Sequence, residues 1–118
     1  MNLWKETLEV LKNRGKSWKD VERVGSPDGY IRKELFEKLA KRTEYDDGFG
    51  GQEVATDLTI QGKGFIMIRE EYDGSEWWKF LDLNNIIGKE ELIGVTTLDD
   101  NNAKERRFGW STLKELND

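Results

Sequence analysis

Residues 54–81 read VATDLTIQGKGFIMIREEYDGSEWWKFL, and the way this run alternates decides the fold. Val54, Thr56, Leu58 and Ile60 alternate with Ala55, Asp57 and Thr59, the period of two that marks a half-buried strand. Gly62-Lys63-Gly64 interrupts the run before Phe65 to Glu70, and Asp73-Gly74 is a hairpin signal ahead of Ser75 to Leu81. Three antiparallel strands are therefore predicted at about 54–60, 64–70 and 75–81. With both turns tight, Leu58 lies opposite Met67 and Met67 opposite Phe80. Val54, Thr56, Leu58, Ile60, Phe65, Met67, Trp78 and Phe80 then share one face. Arg69 falls opposite Trp78 and Glu70 opposite Trp77, so the adjacent tryptophans point to opposite sides of the sheet. The reverse face carries Asp57, Thr59, Ile66, Ile68, Glu70, Trp77, Lys79 and Leu81, a mixed surface of the kind that a terminal segment or a partner covers.

Upstream, Leu3, Trp4, Leu8 and Leu11 recur at helical spacing, and Gly15 supplies a stop, which predicts a helix over about 3–13. Ile31, Leu35, Phe36, Leu39 and Ala40 mark the apolar face of a second helix over about 30–42. Lys33 with Glu37 and Glu34 with Lys38 pair at i,i+4 on its solvated side. Residues 16–25 are readable either way, since Val21 and Val24 suit a helix and their β-branching suits a strand; Gly25-Ser26-Pro27-Asp28-Gly29 is a turn. Beyond Asn84 the pattern is irregular, with a loop at Asp99 to Asn102 and a short final helix from Trp110 to Leu116. The expectation is an α+β domain, 1–118, with a small antiparallel sheet packed against two N-terminal helices.

Composition narrows the function more than it names one. The chain has 118 residues, no histidine and no cysteine, which removes Ser-His and Cys-His nucleophilic pairs, the usual zinc ligand sets and disulfides. Hydrophobic content is low at 36%, but five Trp, five Phe and three Tyr supply large buried areas, so a packed core is expected. Lys5, Glu6, Glu9 and Lys12 interrupt the first apolar residues, and no run approaches a membrane span. A cytoplasmic protein without membrane contact is therefore expected. With 24 acidic against 19 basic residues the net charge is −5, which repels phosphate backbones and argues against direct nucleic-acid binding.

Three constellations remain. Glu44, Asp46, Asp47 and Glu53 form an acidic loop in which carboxylates could converge on a hard cation, but the spacing is not that of an EF-hand. Solvated charges ending a helix account for the loop, and no metal or cofactor is expected. Gly48-Phe49-Gly50-Gly51 lacks the Lys-Ser or Lys-Thr of a phosphate loop and follows a helix instead of a strand. Asp57, Glu70 and Glu71 are carboxylates on neighbouring strands, an arrangement far commoner as solvated surface than as a catalytic pair. A non-enzymatic role is expected. Trp77 is the residue that reads as functional: it faces away from the predicted core beside Glu70 and Glu76, with Glu71, Tyr72, Asp46 and Asp47 near in pattern. An aromatic among acids suits a basic protein partner. A stacking platform of Trp77 and Tyr72 for a small ligand or a carbohydrate is the alternative, and a carboxylate- or metal-dependent enzyme at residues 44–53 comes third.

Over Glu44 to Glu53 and again over Tyr72 to Trp78 the chain resembles small proteins of phages and prophages of Gram-positive bacteria. No catalytic motif comes with that resemblance, so it assigns no residue a role. It implies a context in which small acidic accessory proteins bind a bacterial protein, as anti-CRISPR inhibitors of defence nucleases do. The expectation is an accessory protein that occupies a basic surface on such a partner.

Overall fold

The computed structural model describes residues 1–46, 51–84, 86–96, 98 and 112–118, which fall into two units, Met1–Ile86 and Ile87–Asp118. The first unit is α+β. Helix α1 (Leu3–Asn13) is followed by a single 3-10 turn (Trp18–Asp20), the hairpin β1 (Val21–Ser26) and β2 (Gly29–Ile31), and helix α2 (Lys33–Lys41). The strands β3 (Thr59–Gly62), β4 (Phe65–Tyr72) and β5 (Ser75–Asp82) complete it. All five strands join one antiparallel sheet in the order β2-β1-β3-β4-β5.

Each element has a local cause. Asn2 caps α1 by accepting the Lys5 N–H at 3.0 Å, and its own amide donates to Lys41 O and Glu44 Oε1, tying the start of α1 to the end of α2. Asp73 and Gly74 take φ of 52° and 88°, the left-handed pair that a two-residue hairpin twisted to match its strands requires. The β4–β5 ladder accordingly runs in full from Phe65↔Asp82 to Tyr72↔Ser75, with Met67↔Phe80, Arg69↔Trp78 and Glu70↔Trp77 as the alternation predicts.

On the inner face Leu3, Leu11, Phe36 and Ala40 from the helices close over Val21, Val24, Ile60, Phe65, Met67 and Trp78. Trp4, Trp18 and Phe36 pack as an aromatic group at the helix–helix junction, with Trp4–Trp18 and Trp18–Phe36 centroids 4.9 and 5.6 Å apart.

Four expectations change. Residues 54–58 are not strand: β3 begins at Thr59, because Val54 donates its N–H to the Glu76 carboxylate and Leu58 turns back to Ala55 O, so neither joins the ladder. Val54 and Leu58 are still buried, whereas Thr56 is exposed. The partner of Met67 on β3 is Ile60, not Leu58, a slip of two residues that leaves the side chains of β3 and β4 on their predicted faces. Tyr30 and Ile31 belong to β2, so α2 starts at Lys33, and the ambiguous 16–25 segment resolves into the 3-10 turn and β1. Leu35 and Leu39 lie on the exposed flank of α2 at 46% and 39% exposure, while Phe36 and Ala40 take the core side.

In the second unit a helix, α3 (Leu113–Leu116), is capped by Thr112, whose hydroxyl accepts the Glu115 N–H. Trp110 and Ser111, expected in this helix, lie outside the described residues. Asn117 holds the unit together, its Oδ1 accepting from Ile93 and Gly94 N–H at 2.9 and 2.8 Å.

Candidate functional site

Glu76 decides what the acidic aromatic end of the molecule looks like. Alternation puts Glu76, Trp78 and Phe80 on the same side of β5, so Glu76 points inward while Trp77 points out; it is 1% exposed and does not stand beside Trp77 on the surface. Its carboxylate receives Arg69 Nη2 at 2.8 Å, the Glu53 N–H at 2.7 Å and the Val54 N–H at 3.2 Å. A buried carboxylate is tolerable only when paired and hydrogen-bonded in this way. One consequence is geometric: the Glu53–Val54 segment is pinned to the turn end of the β4–β5 hairpin.

Arg69 is shared. Its Nη1 lies 3.2 Å from Glu6 Oε1, and the guanidinium sits 4.8 Å from the Trp78 ring centroid and 5.3 Å from that of Tyr45. Glu6 comes from the first turn of α1, on the same helical side as Leu3, Thr7 and Leu11. It also accepts the Tyr45 hydroxyl at 2.6 Å and the Trp78 backbone N–H at 3.1 Å. Burial and the hydrogen bond to Glu6 raise the Tyr45 pKa well above its ordinary value. Burial by itself would lower the Arg69 pKa, but the Tyr45 hydrogen bond and the charges and hydrogen bonds of Glu6 and Glu76 outweigh it, and the value rises. Two carboxylates against one guanidinium leave an excess negative charge, which backbone N–H donors and the phenol stabilise.

The network also closes an edge. Strand β5 is the last in the sheet, and its outward Trp78 N–H is taken by Glu6 while Tyr45 donates to the Glu76 carbonyl at 3.4 Å. Strand addition at that point is thereby blocked. What remains for recognition at this end is the outer face. There Tyr72 is 76% and Trp77 37% exposed, two residues apart diagonally across the β4–β5 pair. Glu70 stands opposite Trp77 and pairs with Lys79 at 3.4 Å; Glu71, opposite the inward Glu76 in the ladder, is exposed on the other side of the hairpin.

The expected site residues thus divide. Trp77, Tyr72 and Glu70 are brought together on the outer face of the hairpin, while Glu71 projects from its other side with Glu76 as ladder partner; exposed Asp46 and Glu53 lie beneath, and Glu76 is the anchor. Asp47 lies outside the described residues. Of the carboxylates weighed as cation ligands, Glu44 is held by the Asn2 amide and the terminal ammonium, and Glu53 accepts the Asp46 N–H at 3.3 Å. Among the described residues no three His, Cys, Asp or Glu side chains gather as a ligand set. Glu6 and Arg69 went unread as partners, although a glutamate within the apolar stripe of α1 and an arginine at an inward strand position are complementary signals visible in the sequence.

No family model, curated protein or solved structure matches the chain. The site is accordingly read from its own chemistry.

Proposed function

We propose that this chain is a non-enzymatic binding protein whose acidic, aromatic end occupies a basic surface on a bacterial protein, such as one shaped to receive nucleic acid. The observation that carries this reading is the pair of exposed aromatics, Tyr72 and Trp77, displayed on one sheet face. The Glu70 carboxylate flanks them on that face, Glu71 lies on the other side of the same strand, and the Glu76 anchor holds Glu53, which in turn accepts the Asp46 N–H, at the same end. Aromatic anchors surrounded by charge are how compact interfaces concentrate their energy, and acidic surroundings steer a basic partner and make the encounter sensitive to salt. The described ionisable cluster of Glu6, Tyr45, Arg69 and Glu76 is buried and occupied with itself, which suits a structural part better than a catalytic one. An inhibitor that competes with nucleic acid for a defence nuclease is the specific form this reading takes.

Immobilised protein incubated with bacterial lysate at low salt should retain a basic protein that elutes as salt rises. Trp77→Ala and Glu70→Lys should each reduce its recovery severalfold while leaving the melting temperature within a few degrees of the parent. Failure to recover any protein at either salt concentration would remove the reading.

A further inference from the structure

On the same outer sheet face, but on β2, β1 and β3 and away from Trp77, lies a groove of about 460 Å³. That volume is in the range of sites for small organic ligands, about 300–1,000 Å³. Its floor is set by Gly25, which pairs with Tyr30 on one side and Thr59 on the other. A Cβ at Gly25 would stand 2.2 Å from Gly29 O and 2.7 Å from Tyr30 Cα, so the backbone itself keeps this position bare. Tyr30 and Thr59, two strand spacings or about 10 Å apart, become the two sides of an open slot. The next row of the same face places Arg23 opposite Gln61.

The chemistry of the lining is specific. Tyr30 is 66% exposed even with the Arg23 guanidinium over its ring at 5.8 Å from the centroid, so aromatic surface is left for stacking. Among the described residues Arg23 has no ion-pair partner, which leaves its planar fork of donors for an anion. Gln61 offers an amide edge and Asp28, in the hairpin turn, an acceptor at the rim. A ring, a fixed cation beside it and flanking hydrogen-bonding groups select a ligand with matching parts.

We propose that this groove binds a small ligand consisting of a planar aromatic ring that carries an anionic group, the chemistry shared by nucleoside monophosphates and aromatic carboxylates. The ring stacks on the exposed surface of Tyr30, the anion pairs with Arg23, and Gln61 and Asp28 read polar groups on the ring or its substituent. Neither Trp77 nor Tyr72 lines the groove, so the site is independent of the protein-binding face.

The test is an amide NMR titration of the full chain with adenosine monophosphate, benzoate, inorganic phosphate and adenosine, each to millimolar concentration. Saturable shifts confined to residues 23–30 and 59–61 are expected with adenosine monophosphate or benzoate, at least about tenfold tighter than with phosphate or adenosine. The arm that saturates first tells nucleotide from simple aromatic acid. Arg23→Gln and Tyr30→Leu should each weaken binding about tenfold with an unchanged melting temperature, the loss expected for one charge-assisted contact or one stacking surface. Trp77→Ala should leave the affinity as it is. The proposal is overturned if neither ring-bearing anion shifts these amides, if phosphate or adenosine binds as tightly, or if Trp77→Ala weakens binding as much as Arg23→Gln does.

Discussion

Replacing Glu76 with alanine separates a structural anchor from a surface contact, because the two roles predict opposite melts. The side chain is buried and takes hydrogen bonds from Arg69 Nη2, Glu53 N–H and Val54 N–H. Its removal strands two loop N–H groups and halves the neutralisation of a buried guanidinium. Breaking a buried pair costs about 3–5 kcal/mol, and contacts that share a partner do not add. Glu6 stays 3.2 Å from Arg69 and limits the damage, so the lower end, about 3 kcal/mol, is expected. A unit of this size, Met1–Ile86, has a total stability of about 4–13 kcal/mol, and each kcal/mol moves its Tm by about 4–8 °C. Urea titration followed by tryptophan fluorescence should show the midpoint falling steeply, and a thermal melt should fall by about 12–24 °C. Proteolysis within residues 44–54 should accelerate as the loop loses its attachment. A Glu76→Ala protein that melts within about 1 kcal/mol of the parent would refute the anchor.

Trp78→Ala should cost about 3–5 kcal/mol, since it empties a core site and abandons both the Thr7 hydrogen bond at 2.9 Å and the Arg69 stack. Trp77→Ala should cost less than about 1 kcal/mol; chemical denaturation of the pair checks the contrast. Gly25→Ala should destabilise by about 1–3 kcal/mol, because the Gly29 carbonyl it would strike is backbone and yields only if the β1–β2 hairpin shifts; hydrogen exchange at residues 21–31 reports it. The Tyr45 phenol holds its proton more tightly in the folded protein than in the unfolded chain. Its stabilising contribution is therefore complete below the ordinary tyrosine pKa of 10.0 and declines as pH rises through and beyond that value. Tyr45→Phe should lose about 1–2 kcal/mol at neutral pH and show a shallower alkaline decline than the parent in melts across pH 9–12.

How much of this was legible beforehand depends on the range of the interaction. Strand alternation, the Asp73-Gly74 turn and the helical spacing of Leu3 to Leu11 are local, and they specified the β4–β5 register, the opposed tryptophans and both N-terminal helices from the chain alone. Period two also carried the information that Glu76 lies on the Trp78 side; its acidity alone made it read as surface. Residues 54–58 alternate as a strand would, yet they are loop, because a carboxylate 22 residues away in sequence satisfies the Val54 N–H in place of a neighbouring strand. The bare position at Gly25 arises when Gly29 and Tyr30 close against it, and the pinning of the acidic loop when Glu76 meets Arg69 beneath Tyr45. Local periodicity determines which side of an element a residue occupies. Which buried charges find one another, and which surface is left open as a result, is decided only when distant segments meet and every buried donor and acceptor must be satisfied at once.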